Sequence, residues 1–497
     1  MVNDNTLAVS VGTIAKSPYG EGDLLIGGQW RPAADGRTYP VHDPATGQVV
    51  REVGAAGEQD ARDAVDAAQA VADAWHRTAP RARADVLMRA FALMHQHQDA
   101  LARLITLENG KAYRDAAAEV AYAAEFFRWF AEEAVRIGSS FGQAPAGGYR
   151  HVVIKQPVGV TAFVTPWNFP AAMATRKIAP ALAAGCPVLL KPAPETPLTA
   201  LAVAALLHEA GLPAGLLNVL PTDRAPETVA PWLTDERVRK FSFTGSTATG
   251  RALLAQAAGN VVNVTMELGG NAPFVVLDDA DIDAAVRGAM DAKMRGGGEV
   301  CIAANRFYVH ESVAAEFTEK FGAAMRAVKA GPGLAEGVTL GPMINPAAVE
   351  KISALVADAV TKGARVTAQG EIPQGGGWYY PATVLTDVPA DAEMLHTEVF
   401  GPVAPLVTFT DENEMVAAAN ATAYGLASYV FTRDLTRGLR LAERLEAGMV
   451  GLNRGLISDP AAPFGGVKQS GIGREGGREG IEAFLETKYV ALEWPAV

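Results

Sequence analysis

Residues 160–191 read VTAFVTPWNFPAAMATRKIAPALAAGCPVLLK. Two short apolar runs, at 160–164 and 188–190, flank a helix-length segment at 173–184. This alternation predicts a strand, a helix and a second strand, which together form a βαβ unit. Because the strands of such a unit are parallel and ligands bind beyond their carboxyl ends, we expect the turn after residue 164 to face a binding site.

The same alternation of short apolar runs and helical segments extends along most of the chain. The later elements that it predicts are 200–210, 216–220 and 238–243, followed by a second block from about 272 to 448 that includes 274–277, 307–309 and 313–328. Short strands within 24–50 and Ala-rich amphipathic helices within 58–133 precede the quoted segment. The sequence therefore predicts an α/β protein with two lobes.

The composition argues against several classes of protein. The chain has 497 residues, of which 49% are hydrophobic and 20% are charged, and its formal net charge is -12. A chain of this length exceeds one hydrophobic core, and the lack of a long uncharged apolar run argues against a membrane protein. Because nucleic-acid binding usually requires a basic face, the acidic balance argues against a nucleic-acid partner.

The chain contains only two cysteines, Cys186 and Cys301. Two cysteines cannot form a disulfide framework in so long a chain, so we expect a reducing compartment, the cytoplasm. Residues 1–22 carry neither the apolar region of a signal peptide nor the arginine-rich pattern of a transit peptide, and we expect them to form a flexible tail.

Two residues could carry covalent or acid–base chemistry. Cys301 on its own is more typical of a buried inert thiol, but it follows GGGEV at 296–300, a run whose backbone can approach a ligand closely. Cys186 lies between a glycine and a proline at the start of an apolar strand, and we interpret it as structural. Glu267 precedes a double-glycine turn and is either a solvated surface carboxylate or a general base whose pKa is raised by burial.

The run FTGSTATG at 243–250 follows a predicted strand and opens a predicted helix. Backbone amides at such a helix start can hold a pyrophosphate. The run is not the usual G-x-G-x-x-G, and a helix cap by Ser246 or Thr247 explains it nearly as well.

Six segments, in order along the chain, carry a resemblance to a known family. They are TPWNFP at 165–170, KPAPETP at 191–197, FTGSTATG at 243–250, MELGG at 266–270, Cys301, and EVFGP at 398–402. Together they resemble the aldehyde dehydrogenase superfamily over essentially the whole chain. The resemblance implies an α/β fold with a Rossmann-type NAD-binding lobe, a second α/β catalytic lobe and a small oligomerisation sheet.

The domain division implied by the resemblance has five parts. These are a flexible tail at 1–22, an NAD-binding domain at 23–267 with 144–158 in the oligomerisation sheet, a catalytic domain at 268–450, a return to the NAD-binding domain and substrate tunnel at 451–480, and an oligomerisation tail at 481–497. The resemblance also implies a homodimer or homotetramer. Strands near 148–156 and 488–492 would form its shared sheet.

The resemblance implies a reaction through a covalent intermediate. Cys301 would attack the aldehyde carbonyl as a thiolate, and the Asn168 amide and the Cys301 backbone N–H would hold the oxyanion. After hydride transfer, Glu267 would activate the water that hydrolyses the thioester. A glutamate at this position implies release of a carboxylic acid rather than acyl transfer to coenzyme A. No metal site is implied.

The implied cofactor is NAD, with NADP as the less favoured alternative. The resemblance assigns nine residues to cofactor binding: Thr165, Trp167, Lys191, Glu195, Gly245, Ser246, Leu268, Glu398 and Phe400. Lys191 and Glu195 would contact the adenosine ribose. The Glu195 carboxylate can accept hydrogen bonds from the ribose hydroxyls but would repel the 2′-phosphate of NADP, so NAD is expected.

Within the superfamily, the chain is most similar to the succinate-semialdehyde dehydrogenase branch, through TRK at 175–177, MR at 294–295, ANR at 304–306 and GLISD at 455–459. In that branch the residues matching Arg176, Arg295 and Ser458 bind the far carboxylate of the substrate, although an isolated arginine is more typical of an ion pair. The implied substrate is succinate semialdehyde, with glutarate or 2-oxoglutarate semialdehyde as near alternatives. A broad-specificity aldehyde dehydrogenase and a non-catalytic member of the superfamily are the remaining alternatives.

The segment before Cys301 departs from the family pattern. The three glycines at 296–298 are expected to loosen the loop of the nucleophile. Glu299 would raise the pKa of Cys301 if its carboxylate faced the thiol. Ala303 stands where some members of the branch have a second cysteine, so a disulfide switch at that position is excluded.

Overall fold

The computed structural model describes residues 22–494. The flexible tail predicted over 1–22 therefore lies outside the described residues, apart from its last position. Within residues 22–494 the chain forms twenty strands and fourteen α-helices. Among these residues, no helix is both long enough and apolar enough to span a lipid bilayer.

The strands, numbered in chain order, are β1 Leu24–Ile26, β2 Gln29–Arg31, β3 Thr38–His42, β4 Val49–Gly54, β5 Ser140–Gln143, β6 Tyr149–Pro157, β7 Val160–Val164, β8 Val188–Lys191, β9 Leu217–Val219, β10 Val238–Thr244, β11 Asn263–Glu267, β12 Ala272–Val276, β13 Ala304–His310, β14 Arg365–Gln369, β15 Thr383–Thr386, β16 Val403–Phe409, β17 Ala427–Phe431, β18 Met449–Leu452, β19 Gly471–Ile472 and β20 Leu485–Glu493. The helices are α1 Glu58–Arg77, α2 Pro80–Gln96, α3 Gln98–Asn109, α4 Tyr113–Ala134, α5 Pro170–Ala184, α6 Pro197–Glu209, α7 Ala225–Thr234, α8 Thr247–Ala257, α9 Ile282–Met294, α10 Glu311–Arg326, α11 Pro346–Thr361, α12 Glu412–Asn420, α13 Leu435–Arg444 and α14 Glu479–Glu482.

The first sheet contains the predicted βαβ unit. Its strand order is β19-β11-β10-β7-β8-β9-β1-β2. The five strands from β11 to β9 are parallel, and Val164 of β7 lies opposite Lys191 of β8. The edge strands β1, β2 and β19 join antiparallel. The predicted parallel unit is therefore confirmed, and antiparallel strands are added at both edges.

Helices cover both faces of this sheet, and β7 is buried against them on both sides. Val160 and Ala162 belong to the buried cluster that includes α1, α7 and α8. Phe163 belongs to the cluster on the other face, which includes α5. Burial on both faces explains why the strand is a continuous apolar run rather than an alternating one.

The second sheet is built from the later alternating block. Its strand order is β14-β15-β16-β13-β12-β17-β18, and all neighbours are parallel except β14 and β15. The domain boundary predicted after residue 267 falls between β11 and β12, which lie in different sheets. The boundary predicted at residue 450 falls inside β18. The division into domains stays a prediction.

The strands β20, β6 and β5 form a third sheet. The two strands expected near 148–156 and 488–492 pair antiparallel, from Tyr149 opposite Glu493 to Pro157 opposite Leu485. Large apolar side chains are exposed on or beside this sheet, at Phe141, Tyr489 and Trp494. The role of the sheet in oligomerisation stays a prediction.

Candidate active site

A cavity of about 380 Å³ lies at the carboxyl ends of β7, β10 and β11. This is the position expected for a ligand of a parallel α/β sheet. Twelve of the fifteen predicted site residues line the cavity: Trp167, Asn168, Arg176, Gly245, Ser246, Glu267, Leu268, Arg295, Cys301, Glu398, Phe400 and Ser458. Residues more than 290 positions apart in the sequence therefore meet at one surface.

The other three predicted residues do not line this cavity. The Thr165 N–H donates to the Lys191 carbonyl at 3.2 Å, which ties the ends of β7 and β8 together. The Lys191 side chain is buried, and burial lowers its pKa to about 8. Glu195 lines a second cavity of about 310 Å³. The two cavities share Ile344 and Asn345, so they adjoin each other.

Cys301 is held by the loop between α9 and β13. The three glycines before it adopt positive φ angles of 53°, 68° and 79°. A Cβ on Gly298 would lie 2.3 Å from the Gly401 carbonyl oxygen, so a glycine is needed for the loop to pack there. Burial raises the pKa of the Cys301 thiol to about 12, and the positive charge of Arg176 opposes this shift. The surroundings of the thiol therefore favour its protonated form.

The Glu299 side chain is bound away from the thiol. Its Oε1 accepts a hydrogen bond from the Ile344 N–H at 3.2 Å. Burial raises the pKa of this carboxyl to about 8. The Glu299 backbone carbonyl accepts from Asn168 Nδ2 at 2.9 Å. The Glu299 carboxylate is therefore not bound at the thiol, which was the condition for it to raise the pKa of Cys301. Glu299 instead links the loop to the segments that carry Ile344 and Asn168.

Glu267 ends β11 and is buried, which rules out the alternative of a solvated surface carboxylate. Within residues 22–494, neither of its carboxylate oxygens has a hydrogen-bond partner. A Cβ at Gly465 would lie 2.9 Å from Glu267 Oε1, so a glycine is needed for the backbone to approach the carboxylate this closely. Burial, reinforced by the charge of Glu475, raises the pKa of Glu267 well above its ordinary value. A proton acceptor of this kind suits general-base chemistry.

A charged cluster that the sequence did not predict lies behind Glu267. The Lys177 ammonium is hydrogen-bonded to a carboxylate oxygen of Glu475 and donates to Ser242 Oγ at 2.7 Å. Arg176 Nη1 lies 3.7 Å from the other oxygen of Glu475. The glycine-rich segment around Glu475 offers no chemical motif, so only the folded chain brings this carboxylate to the site.

Two guanidinium groups, those of Arg176 and Arg295, lie near the ring of Tyr122 at the wall of the cavity. Arg176 Nη2 donates to Tyr122 Oη at 2.6 Å, and Arg295 Nη1 donates to Ser458 Oγ at 3.4 Å. The guanidinium carbons of Arg176 and Arg295 lie 5.9 and 5.6 Å from the centre of the Tyr122 ring. Within residues 22–494, Arg176 Nε and Nη1 have no hydrogen-bond partner. These buried donors can bind a planar anion such as a carboxylate.

The remaining part of the cavity carries polar groups of the kind that bind a dinucleotide. Thr244 Oγ1 and Asn168 Oδ1 are buried at its wall and lack a hydrogen-bond partner among the described residues. Helix α8 begins beside them with Ser246 as its N-cap, a geometry that suits a pyrophosphate. Glu398 Oε1 accepts from the Gly270 N–H at 3.0 Å, and burial raises the pKa of Glu398 to about 7.

The aromatic residues assigned to the cofactor also meet in this part of the cavity. The rings of Trp167 and Phe400 contact edge to face, with centroids 5.4 Å apart. Phe400 has a φ of 56°, a left-handed conformation that a residue with a large side chain seldom adopts. Strained backbone of this kind is typical of functional sites.

The family model described as the aldehyde dehydrogenase family matches residues 30–490 of the chain. The chain belongs to the aldehyde dehydrogenase family. The family and the enzyme class predicted from the ordered motifs are thereby confirmed. The roles of the individual site residues stay predictions.

Known relatives of this aldehyde dehydrogenase cover nearly all of its length. A succinate-semialdehyde dehydrogenase of Paenarthrobacter nicotinovorans is 53% identical over 88% of the chain and 98% of the relative. A glutarate-semialdehyde dehydrogenase of Pseudomonas putida is 50% identical over 94% and 97%. The crystal structure of an NADP-dependent enzyme of Escherichia coli superposes with a TM-score of 0.93 at 48% identity, covering 95% of this chain and 98% of that one. The predicted α/β fold is confirmed by this similarity.

Proposed function

We propose that this aldehyde dehydrogenase oxidises a short aldehyde that carries a carboxylate at its far end, with succinate semialdehyde as the first candidate. The observation that carries the proposal is the pair Arg176 and Arg295, which lines the same cavity as Cys301. A relative that acts on succinate semialdehyde and one that acts on glutarate semialdehyde both support it. Such semialdehydes differ by a methylene or a keto group, which a pocket often separates by only about 1–3 kcal/mol, so glutarate and 2-oxoglutarate semialdehyde are the nearest alternatives.

The reaction begins at the Cys301 thiol. Transfer of its proton to solvent in the cavity gives a thiolate that attacks the aldehyde carbonyl and forms a thiohemiacetal. The charge of Arg176 favours the thiolate, and the Glu398 and Glu267 carboxylates oppose it. Because Asn168 Nδ2 uses one N–H for the Glu299 carbonyl, its second N–H is left for the developing oxyanion.

The oxidation requires a nicotinamide dinucleotide, which would lie along Ser246, Glu398 and Phe400. When bound, its nicotinamide supplies the acceptor for the hydride that leaves the thiohemiacetal. Trp167 and Phe400 would form the apolar wall beside the ring. The edge-to-face contact of these two side chains holds that wall in place.

Hydrolysis of the resulting thioester is assigned to Glu267. Its unpartnered carboxylate can take a proton from a water in the cavity that it shares with Cys301, and that water attacks the thioester carbonyl. The sulfur leaves as the Cys301 thiolate, and the product leaves as a carboxylic acid. Glu267 lines the cavity, so solvent there can take up the proton that it receives.

The substrate proposal is tested by comparing succinate semialdehyde with butyraldehyde, an uncharged aldehyde of the same chain length. The parent enzyme is expected to prefer the charged aldehyde in kcat/KM by about a hundredfold or more, and Arg295→Ala to lose most of that preference. The physical reason is the loss of a charged hydrogen-bond donor to the substrate carboxylate. The measurement is the initial rate of NADH formation.

Arg287→Ala is the matched control, because Arg287 lies exposed on α9, the helix that leads to Arg295. It should keep the parental preference. Equal kcat/KM values for both aldehydes in the parent would favour the broad-specificity alternative and would leave the dehydrogenase assignment intact.

We also propose that NAD is the preferred cofactor. The proposal rests on the negative charge of the Glu195 carboxylate. This residue lines the second cavity together with Asp223, so a phosphate on the ribose would meet two carboxylates there. The parent is expected to show a kcat/KM at least about tenfold higher with NAD than with NADP, and Glu195→Gln to narrow the ratio. A ratio that favours NADP, as the name of the Escherichia coli neighbour states for that enzyme, would contradict the proposal.

A homodimer or homotetramer in the cytoplasm is proposed as the working form. The exposed apolar side chains on the third sheet support association, since large exposed apolar residues usually mark a contact surface. Two free cysteines and no predicted disulfide support a reducing compartment.

A further inference from the structure

One face of helix α4 reaches three separate parts of the proposed active site. Asp115, Glu119 and Tyr122 lie at positions i, i+4 and i+7 of this helix, so their side chains share one face. None of the three belongs to a sequence motif that suggested chemistry. Each of them contacts a group that the reaction uses or a segment that carries such a group.

Asp115 holds the loop of the nucleophile. Its Oδ2 accepts a hydrogen bond from the Gly296 N–H at 3.1 Å. Gly296 is the first of the three glycines before Cys301, and these residues have no side chains with which to anchor the loop. The loop is therefore held by its backbone, and Asp115 supplies the acceptor at its start. The Asp115 side chain is 18% exposed, so water competes weakly for this bond.

Glu119 holds the segment that carries the oxyanion amide. Its Oε1 accepts from the Ala171 N–H at 2.9 Å, at the first turn of α5. Its Oε2 accepts from Lys111 Nζ at 2.7 Å, and Lys111 also donates to the Asn168 carbonyl at 2.5 Å. The pair is almost fully buried, so its charges interact strongly. Asn168 is thus fixed by its backbone, directly through Lys111 and indirectly through Glu119.

Tyr122 completes the face at the anion-binding end. Its hydroxyl accepts from Arg176, and its ring lies near both guanidinium groups. The nucleophile loop, the oxyanion segment and the anion-binding arginines therefore share one rigid support. A helix of 22 residues is stiff over the two turns that separate Asp115 from Tyr122.

We infer that Asp115 and Glu119 are positioning residues, which set the place of the Cys301 thiol relative to the Asn168 amide through their bonds to the Gly296 N–H and to Lys111. The inference rests on the proposed function, because it takes Cys301 as the nucleophile and Asn168 as the oxyanion donor. Neither side chain lines the cavity, so both are expected to act on the formation of the covalent intermediate rather than on binding.

The test measures the pre-steady-state burst of NADH with succinate semialdehyde, because the burst reports the steps up to the thioester. Asp115→Ala is expected to lower the burst rate constant about tenfold or more, with the dissociation constant of NAD within about twofold of the parent. Asp115→Asn keeps an oxygen acceptor for the Gly296 N–H and should stay within about threefold of the parent. A near-parental burst rate in Asp115→Asn would show that the hydrogen bond to the Gly296 N–H, and not the negative charge of Asp115, positions the loop.

Glu119→Gln is the second variant. It keeps an acceptor for the Ala171 N–H but leaves the Lys111 ammonium without its counter-ion, so the burst is expected to slow by about tenfold. Glu133→Gln is the matched control. Glu133 is a buried carboxylate of the same helix whose partner, at 2.6 Å, is Arg136, and its variant should keep the parental burst.

A parental burst rate in folded Asp115→Ala would overturn the inference, as would a slow Asp115→Asn or an equally slow Glu133→Gln. If Asp115→Ala does not fold, Asp115→Ser takes its place, since its shorter side chain cannot reach the Gly296 amide. A parent enzyme that gives no NADH with any aldehyde would instead refute the proposed function.

Discussion

Cys301→Ser is expected to lower kcat by at least about 10³-fold and to leave the fold unchanged. A serine hydroxyl is a much weaker acid than a thiol, and the same burial that raises the pKa of Cys301 to about 12 would suppress its ionisation further. The oxygen would therefore not form the covalent intermediate at a useful rate. The measurement is steady-state NADH formation with saturating succinate semialdehyde and NAD.

Cys186→Ala is the control for this experiment. Cys186 is fully buried, and its thiol lies 3.5 Å from the Phe484 carbonyl and does not border the cavity. Burial raises its pKa to about 11, which agrees with the structural role predicted from sequence. This variant should keep its kcat. Full turnover by Cys301→Ser would refute the assignment of Cys301 as the nucleophile. The alternative of a non-catalytic protein predicts that the parent forms no NADH with any aldehyde.

Glu267→Gln is expected to lower the steady-state kcat by about 10²–10⁴-fold but to preserve the first turnover. Glutamine has the same shape but cannot take a proton from water. Hydride transfer precedes hydrolysis, so the thioester on Cys301 should accumulate. Rapid mixing should show a burst of about one NADH per active site followed by a slow phase, and intact mass measurement should show the acyl group on the protein.

The pH dependence separates a base from a merely structural carboxylate at this position. Burial raises the pKa of Glu267 in the folded enzyme, so the proton-accepting form increases as the pH rises through that value. Steady-state turnover of the parent should therefore increase with pH until Glu267 is ionised, whereas the slow phase of the variant should lack this rise. A variant that loses the burst as well would contradict the assignment of Glu267 to hydrolysis alone.

The sequence predicted the central elements because their local pattern matches their environment. β7 is apolar on both sides since helices cover both faces of the sheet, and its bounds agree with the predicted run at 160–164. Helix α7 was not predicted, because Pro231 lies inside it and interrupts the usual helical pattern. The antiparallel pairing of β1 with β9 joins residues about 190 positions apart, and no local pattern specifies such a partner.

The residues of the active site could likewise be predicted only in part from the sequence. Residues inside ordered motifs, such as Glu267 and Cys301, could be placed from sequence, and the cavity contains both. Asp115 is 181 positions from Gly296, and Lys177 is 298 positions from Glu475. Side chains that support a site from such a distance carry no signature in a single sequence. They become visible only when the chain is folded.

Arg176 couples binding of the far carboxylate of the proposed substrate to the ionisation of the groups that act at its aldehyde end. Its positive charge lowers the proton affinity of both the Cys301 thiol and the Glu267 carboxyl. An aldehyde whose anionic tail binds this guanidinium offsets part of that charge, so occupation of the tail site leaves the thiol less acidic and the carboxylate more basic. In the proposed mechanism, a charged substrate would therefore slow the ionisation of Cys301 and strengthen Glu267 as the base that hydrolyses the thioester.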